Sequence, residues 1–222
     1  MDKDGTVFLF DVDNTLLDND RVTEDLRTFL QSEVGEERSK TYWRIFEKLR
    51  TELGYADYLG SLQRYRLEHP YDSHVLAVST FLINYPFEKR LFPHALDVIA
   101  HCQKLGTVVI LTDGDVVFQP RKIHTSGLFK AVDGNILIYI HKEQELADVQ
   151  RRYPAKKYIL IDDKLRILTA IKKAWNDHVL TVFPRQGHYA LDTNEVSKYP
   201  PADITIETIA DILSLGSKIF IA

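Results

Sequence analysis

Apolar positions along the chain follow two patterns. Short unbroken runs rich in β-branched residues recur at 6–10, 107–111, 136–140, 158–161, 179–182 and 203–206. Most show no polar alternation, which predicts strands buried on both faces, as in a parallel sheet covered by helices. Helical segments lie between them. In the segment from Pro93 to Lys104, Pro93 suits the first helical position, Leu96, Ile99 and Ala100 share a face, and Gly106 follows the end. The segment from Leu165 to Asn176 predicts another. Strands alternating with helices predict an α/β fold with a doubly wound, mostly parallel sheet.

Between Arg21 and Arg90 the period changes. Tyr42, Phe46, Leu49 and Leu53 recur at helical spacing, as do Tyr58, Leu62 and Tyr65, and then Val75, Val78 and Leu82. Thr23 is a candidate cap, with Glu24 and Asp25 in the first turn, and Asp72 is another. The prediction is an all-helical insert of about four helices over 21–90, with the α/β core built from 1–20 and 91–222. The aromatic stripe of the insert reads as packing rather than a ligand cage.

Composition narrows the function. The 222 residues suffice for one core plus a small accessory domain. A net charge of -4, from 28 basic and 32 acidic residues, gives no concentrated basic face and so no expected nucleic-acid partner. The single cysteine, Cys102, excludes an intrachain disulfide and a cysteine-based zinc site, and reads as a small apolar helix residue. The opening MDKDGT is polar and meets a strand at once, unlike a targeting segment. No apolar run approaches the ~18 residues that span a bilayer. A cytoplasmic location without membrane contact is the expectation, and the oligomeric state stays open.

The chemistry begins where strands end. The pattern D-x-D occurs as Asp2/Asp4, Asp11/Asp13, Asp18/Asp20 and Asp113/Asp115. Only Asp11/Asp13 directly follows an apolar run, and open α/β sheets bind ligands beyond the carboxyl ends of their strands. Asp18 and Asp20 read as turn residues. The run 107–111 leads into Thr112-Asp113, 136–140 into His141-Lys142, and 158–161 into Asp162-Asp163. If these strands are parallel neighbours, their ends share one rim. Two like charges ~4 Å apart repel by about 4 kcal/mol at a surface-like dielectric, so positive charge must join them. Lys142 supplies one charge, and a hard divalent cation such as Mg²⁺ suits the remaining oxygens. A metal, a carboxylate, a hydroxyl and an ammonium together suit phosphoryl transfer.

These residues resemble the motifs of the haloacid dehalogenase superfamily. Phe8-Leu9-Phe10-Asp11-Val12-Asp13-Asn14-Thr15-Leu16 is similar to the first motif, Val109-Ile110-Leu111-Thr112-Asp113-Gly114 to the second, Lys142 to the third, and Tyr158-Ile159-Leu160-Ile161-Asp162-Asp163 to the fourth. The resemblance implies that Asp11 is a nucleophile forming an aspartyl-phosphate, and Asp13 a general acid and base whose backbone carbonyl also binds metal. It implies that Thr112, the Asp113 amide and Lys142 bind the phosphate, and that Asp162 and Asp163 hold Mg²⁺ with Asp11 and Asp13. The insert would be a cap that closes over a small phosphorylated substrate. Family dehalogenases lack an acid at the Asp13 position, so its presence favours phosphate.

The chain departs from the pattern at Glu143, where proline is usual, at Ile161, where glycine is common, and at Leu168-Thr169-Ala170-Ile171, where a small-residue helix is usual. Lys122 rivals Lys142; Lys142 is preferred because it follows a strand-like run and stands twenty positions before Asp162. His141, Arg185, Arg44, Lys48 and Arg64 read as ordinary polar surface, and Gly187-His188 as a loop near the cap. The resulting expectation is a Mg²⁺-dependent phosphomonoesterase. Its alternatives are a phosphomutase on the same motifs and a ligand-binding regulatory module. A phosphonatase would need a cap lysine such as Lys40 or Lys48.

Overall fold

The computed structural model describes residues 5–216 and 218–221, so Asp2 and Asp4 lie outside the described residues. Six parallel strands form one sheet: β1 (Thr6–Phe10), β2 (Thr107–Asp113), β3 (Ile136–Tyr139), β4 (Lys157–Ile161), β5 (Val179–Pro184) and β6 (Ile204–Ile206), in the order β3-β2-β1-β4-β5-β6. Phe8 and Phe10 pack with Val108, Ile110, Ile159 and Ile161 on one face; Val7 and Leu9 pack with Val109, Leu111, Tyr158 and Leu160 on the other. Both faces are buried, which is why these strands carry no polar alternation.

Four helices fill the interval between β1 and β2: α1 (Asn19–Val34), α2 (Glu36–Leu53), α3 (Tyr58–Glu68) and α4 (Val75–Ile83). Helix α5 (Ala95–Cys102) then leads to β2. Helices α6 (Phe118–Thr125), α7 (Leu128–Ala131), α8 (Leu146–Arg152), α9 (Leu165–Trp175) and α10 (Gly187–Leu191) complete the connections used below. The stripe Tyr42, Phe46, Leu49, Tyr58, Leu62, Tyr65, Val78 and Leu82 is buried, as amphipathic spacing requires. The chain leaves and re-enters the core as a paired ribbon: Asp18 N donates to Arg90 O (2.8 Å) and Phe92 N to Leu16 O (2.9 Å).

Several local expectations shift. Helix α1 starts at Asn19 because Asp18, not Thr23, is the cap: its carboxylate accepts the Arg21 amide at 2.9 Å, while the Thr23 hydroxyl donates within the helix to Asn19 O. Asp72 sits one turn before α4, and His74 occupies the cap position. Helix α5 begins at Ala95 rather than Pro93, after His94 takes the left-handed conformation (φ 64°). Of the expected face only Ile99 is buried; Leu96 and Ala100 turn outward, and Ala95, Val98 and Cys102 join Ile99 inside. Strand β2 runs on through Thr112 and Asp113, and β3 stops at Tyr139, leaving Ile140 exposed.

Candidate active site

The sheet order explains why the strand-end residues meet. The chain winds from β1 out to β3, then crosses back to place β4 on the other side of β1. That reversal opens a crevice at the carboxyl ends of the central strands. Phe10 is level with Ile110 in β2 and Ile161 in β4, so Asp11 emerges beside Asp162. Backbone bonds fix both residues: Asp11 N donates to Ile161 O (3.0 Å) and Asp162 N to Val182 O (3.2 Å).

Asp11, Asp162 and Asp163 are buried, and one carboxylate oxygen from each lies within 4.8 Å of the others. The Lys142 ammonium sits among them, 2.6 Å from both Asp11 Oδ1 and Asp162 Oδ2, and also donates to Leu111 O at 3.2 Å. Lys142 lies in the turn after β3, where its own amide donates to Asp113 Oδ1 (2.7 Å). The two candidate lysines take different partners: Lys142 touches Asp11, and Lys122 touches Asp13.

One ammonium does not satisfy this cluster. Asp11 Oδ2 and both oxygens of Asp163 are buried without a hydrogen-bond partner. Burial pushes the pKa of Asp162 up and that of Asp163 well up, against the pull of nearby lysines. Asp11 goes the other way. Burial would raise it, but the charges of Lys142 and Lys164 outweigh that and hold it below the usual carboxylate range. Lys142 itself is raised: burial opposes its charge, and Asp11, Asp162 and Asp113 more than restore it. Orphaned, buried, converging carboxylate oxygens fit a hard divalent cation, which would take Asp11, Asp162 and Asp163 as ligands.

The next layer comes from β2 and α6. The buried Thr112 hydroxyl accepts from Gln119 Nε2 at 3.0 Å. Gly114 permits this approach, since a Cβ there would lie 2.6 Å from Gln119 Cβ. Burial raises the Asp113 carboxyl to about 6, with Lys142 pulling the other way. Asp13 stands apart from the buried trio. Its carboxylate, 24% exposed, faces a cavity of about 560 Å³ and accepts from Lys122 Nζ at 2.5 Å. Val12, between the two aspartates, is fully buried in the core, so Asp11 and Asp13 turn to different neighbours.

That cavity lies between the carboxyl ends of the strands and α1–α3. Its helical wall carries Asn19, Arg27, Trp43, Phe46, Arg50 and Tyr58, and its core wall Phe118, Lys122, Lys164 and Tyr189. Phe46 and Tyr58 thus serve both packing and cavity, whereas Arg44, Lys48, Arg64 and Lys40 do not line it. Arg64 pairs with Glu52, Arg185 with Glu207, and Glu143 with Arg166. His141 packs against Gly54 of the insert.

Sequence reasoning missed Gln119, Asn19, Arg27, Arg50, Lys164 and the full role of Asp20. Asp20 is no solvated turn residue: its oxygens accept from the His188 amide (2.7 Å), His188 Nδ1 (2.6 Å) and Asn14 Nδ2 (2.9 Å). Burial would raise its pKa, but His188 and Asn14 lower it overall. This junction ties α1 to α10. Asn14 has φ 60° and Gly187 φ 74°, and a side chain at Gly187 would collide with Asn14. The signal available in advance was the second acidic pair, Asp18/Asp20, immediately after the first.

Comparison with known proteins agrees with this geometry. The family model described as haloacid dehalogenase-like hydrolase matches residues 6–175. No curated protein matches the chain. Among solved structures, a haloacid dehalogenase-like hydrolase from Burkholderia xenovorans LB400 is 59% identical, with a TM-score of 0.92 over 95% of this chain and 98% of that one. The HAD-hydrolase YfnB from Bacillus subtilis, bound to magnesium, shares the fold at 18% identity and a TM-score of 0.62, covering 95% and 97%. An L-2-haloacid dehalogenase from Xanthobacter autotrophicus shares it at 15% and 0.62, covering 94% and 97%. The chain belongs to the haloacid dehalogenase-like hydrolases.

Proposed function

We propose that this hydrolase is a Mg²⁺-dependent phosphomonoesterase acting on a small phosphorylated molecule through an aspartyl-phosphate on Asp11. The observation that carries the reading is the second carboxylate, Asp13, which faces the cavity while Asp11 stays in the buried cluster. Expulsion of an alkoxide needs a proton, and a group in the position of Asp13 supplies it. The helical insert, over about 21–90, is read as the cap domain that encloses the substrate.

The residues divide the work as follows. Lys142 holds Asp11 Oδ1 at 2.6 Å, and the Asp11 carboxylate is the nucleophile. Thr112, with its hydroxyl fixed by Gln119, and the Asp113 amide bind phosphoryl oxygens. A carboxylate oxygen of Asp11 bonds to phosphorus, the ester oxygen departs, and Asp13 protonates it. Asp13 then takes a proton from water as that water attacks phosphorus, which releases phosphate and restores Asp11. Mg²⁺ held by Asp11, Asp162 and Asp163, with the Asp13 carbonyl, would offset phosphoryl charge.

The test is a panel of phosphorylated metabolites read by released phosphate, run beside 2-haloacids read by released halide. Phosphate release from at least one ester is expected, with turnover lowered ~10²–10⁴-fold in Asp13→Asn. Halide release without phosphate release would sink the reading. Transfer of the phosphoryl group to product, with none in solution, would replace it with a phosphomutase.

A further inference from the structure

Lys122 is a buried lysine that the steps above leave unused. It lies on α6, is 1% exposed, and spends two N–H groups on two acceptors: Asp13 Oδ1 at 2.5 Å and Asn19 Oδ1 at 3.0 Å. Asp13 belongs to the loop after β1, and Asn19 is the first residue of α1. The ammonium therefore joins the proton donor proposed above to the root of the helical insert.

Its surroundings hold it there. The Nζ atom is 5.4 Å from the Phe118 ring centroid, and Phe118 packs on Tyr58 (5.3 Å) and Phe87 (5.5 Å). Tyr58 in turn shares a 2.7 Å hydrogen bond with Thr23 and accepts from Asn19 Nδ2 at 3.4 Å, both on α1. Aromatic walls and a fixed amide oxygen allow the ammonium little freedom. Removing an ammonium from water is costly, so a lysine this deeply buried needs a charged partner, and Asp13 is that partner. The ammonium donates to Asp13 through Oδ1, and Asp13 lines the cavity.

We infer that Lys122 is a positioning residue: it grips Asp13 by Oδ1, aims Oδ2 at the leaving-group oxygen, and references that aim to α1 through Asn19. The inference rests on the phosphomonoesterase reading. It makes a prediction that simple support of the fold does not. An effect transmitted through the proton donor grows with the need of the leaving group for a proton. A phosphate-binding or purely structural role is blind to that need.

The experiment compares p-nitrophenyl phosphate, whose leaving group needs little protonation, with the best alkyl phosphate of the panel. Wild type, Lys122→Met, Lys122→Gln, Lys122→Arg, Asp13→Asn and the double variant Asp13→Asn/Lys122→Met are assayed, with thermal melts to count folded protein. For Lys122→Met we expect kcat/KM on the alkyl ester to fall ~10–10²-fold and kcat/KM on the aryl ester, which reports the same first phosphoryl transfer, to fall less than ~3-fold. Lys122→Arg should recover most of the loss, and the double variant should be no slower than Asp13→Asn. If Lys122→Met fails to fold, Lys122→Gln carries the same comparison without the charge. Equal losses of kcat/KM on both esters would overturn the positioning role while leaving an Asp13→Asn whose kcat/KM loss is leaving-group-selective intact. If Asp13→Asn is itself blind to the leaving group, or wild type hydrolyses no ester, the underlying reading falls and the inference with it.

Discussion

Two sets of low-exposure aspartates in this molecule sit in opposite states. In the helical insert, the Asp72 side chain is 6% exposed and both oxygens are used: Oδ1 accepts from the His74 amide (3.0 Å) and Nδ1 (2.8 Å), and Oδ2 accepts from Tyr65 (2.6 Å) and forms an ion pair with Arg38 (3.3 Å). Burial would raise its pKa, but Tyr65, His74 and Arg38 outweigh burial and bring it to about 2. At the carboxyl end of β4, Asp163 is buried with neither oxygen bonded, and burial pushes its pKa well up. Asp11 beside it has one oxygen gripped by Lys142 and the other free. A carboxylate that serves stability is satisfied within the chain. One that serves a ligand is left short of partners, at a cost to the empty fold.

The contrast is broken most strongly at Asp11. Asp11→Asn should lower phosphate release by about 10⁴-fold or more, as loss of a nucleophile does, in protein that still folds. A steady-state assay paired with a thermal melt checks both halves. Asp72→Ala should do the reverse. It strands Arg38 and Tyr65, and a loss of about 2–3 kcal/mol is expected in urea denaturation, with turnover per folded molecule within a few-fold of wild type.

A pH titration of stability sharpens the same difference. Asp72 has its folded pKa below the unfolded value, so its contribution is present above about pH 4 and is lost as pH falls towards 2. The stability gap between wild type and Asp72→Asn should therefore shrink over that window by up to about 2 kcal/mol. Asp163 has its folded pKa raised, so metal-free protein loses stability as pH rises through that pKa. In metal-stripped protein at about pH 8, Asp163→Asn should be more stable than wild type by about 1 kcal/mol. A destabilised Asp163→Asn would remove Asp163 from the ligand-serving set.

Much of this was legible in the order of residues. Val7 to Phe10 announces a doubly buried strand, and the strand in front of Asp11 and Asp13 separates them from Asp18 and Asp20. Lys142 was legible because it follows β3, whose place beside β2 puts the turn at 140–144 over the Asp11 crevice. What stayed hidden was set by contacts between distant segments. Asp18 and Thr23 are equally good caps in isolation, and the pairing of Asp18 N with Arg90 O selects the first. Leu96 fits an apolar face until the left-handed turn at His94 resets the helix frame. Lys122 resembles any basic helix residue, and only the folded chain brings its ammonium to Asp13 and Asn19, both more than 100 positions away. The cavity arginines, Arg27 and Arg50, share their helices with solvated basic residues, so helical spacing alone could not single them out.

The most direct measurement is a calorimetric titration of Mg²⁺ into metal-stripped wild type, Asp163→Asn and Asp72→Asn at one pH. If the orphaned oxygens at the carboxyl ends of the strands exist to hold a cation, wild type and Asp72→Asn bind one Mg²⁺ alike. Asp163→Asn then binds at least ~10-fold more weakly. Equal affinity in wild type and Asp163→Asn would contradict the account.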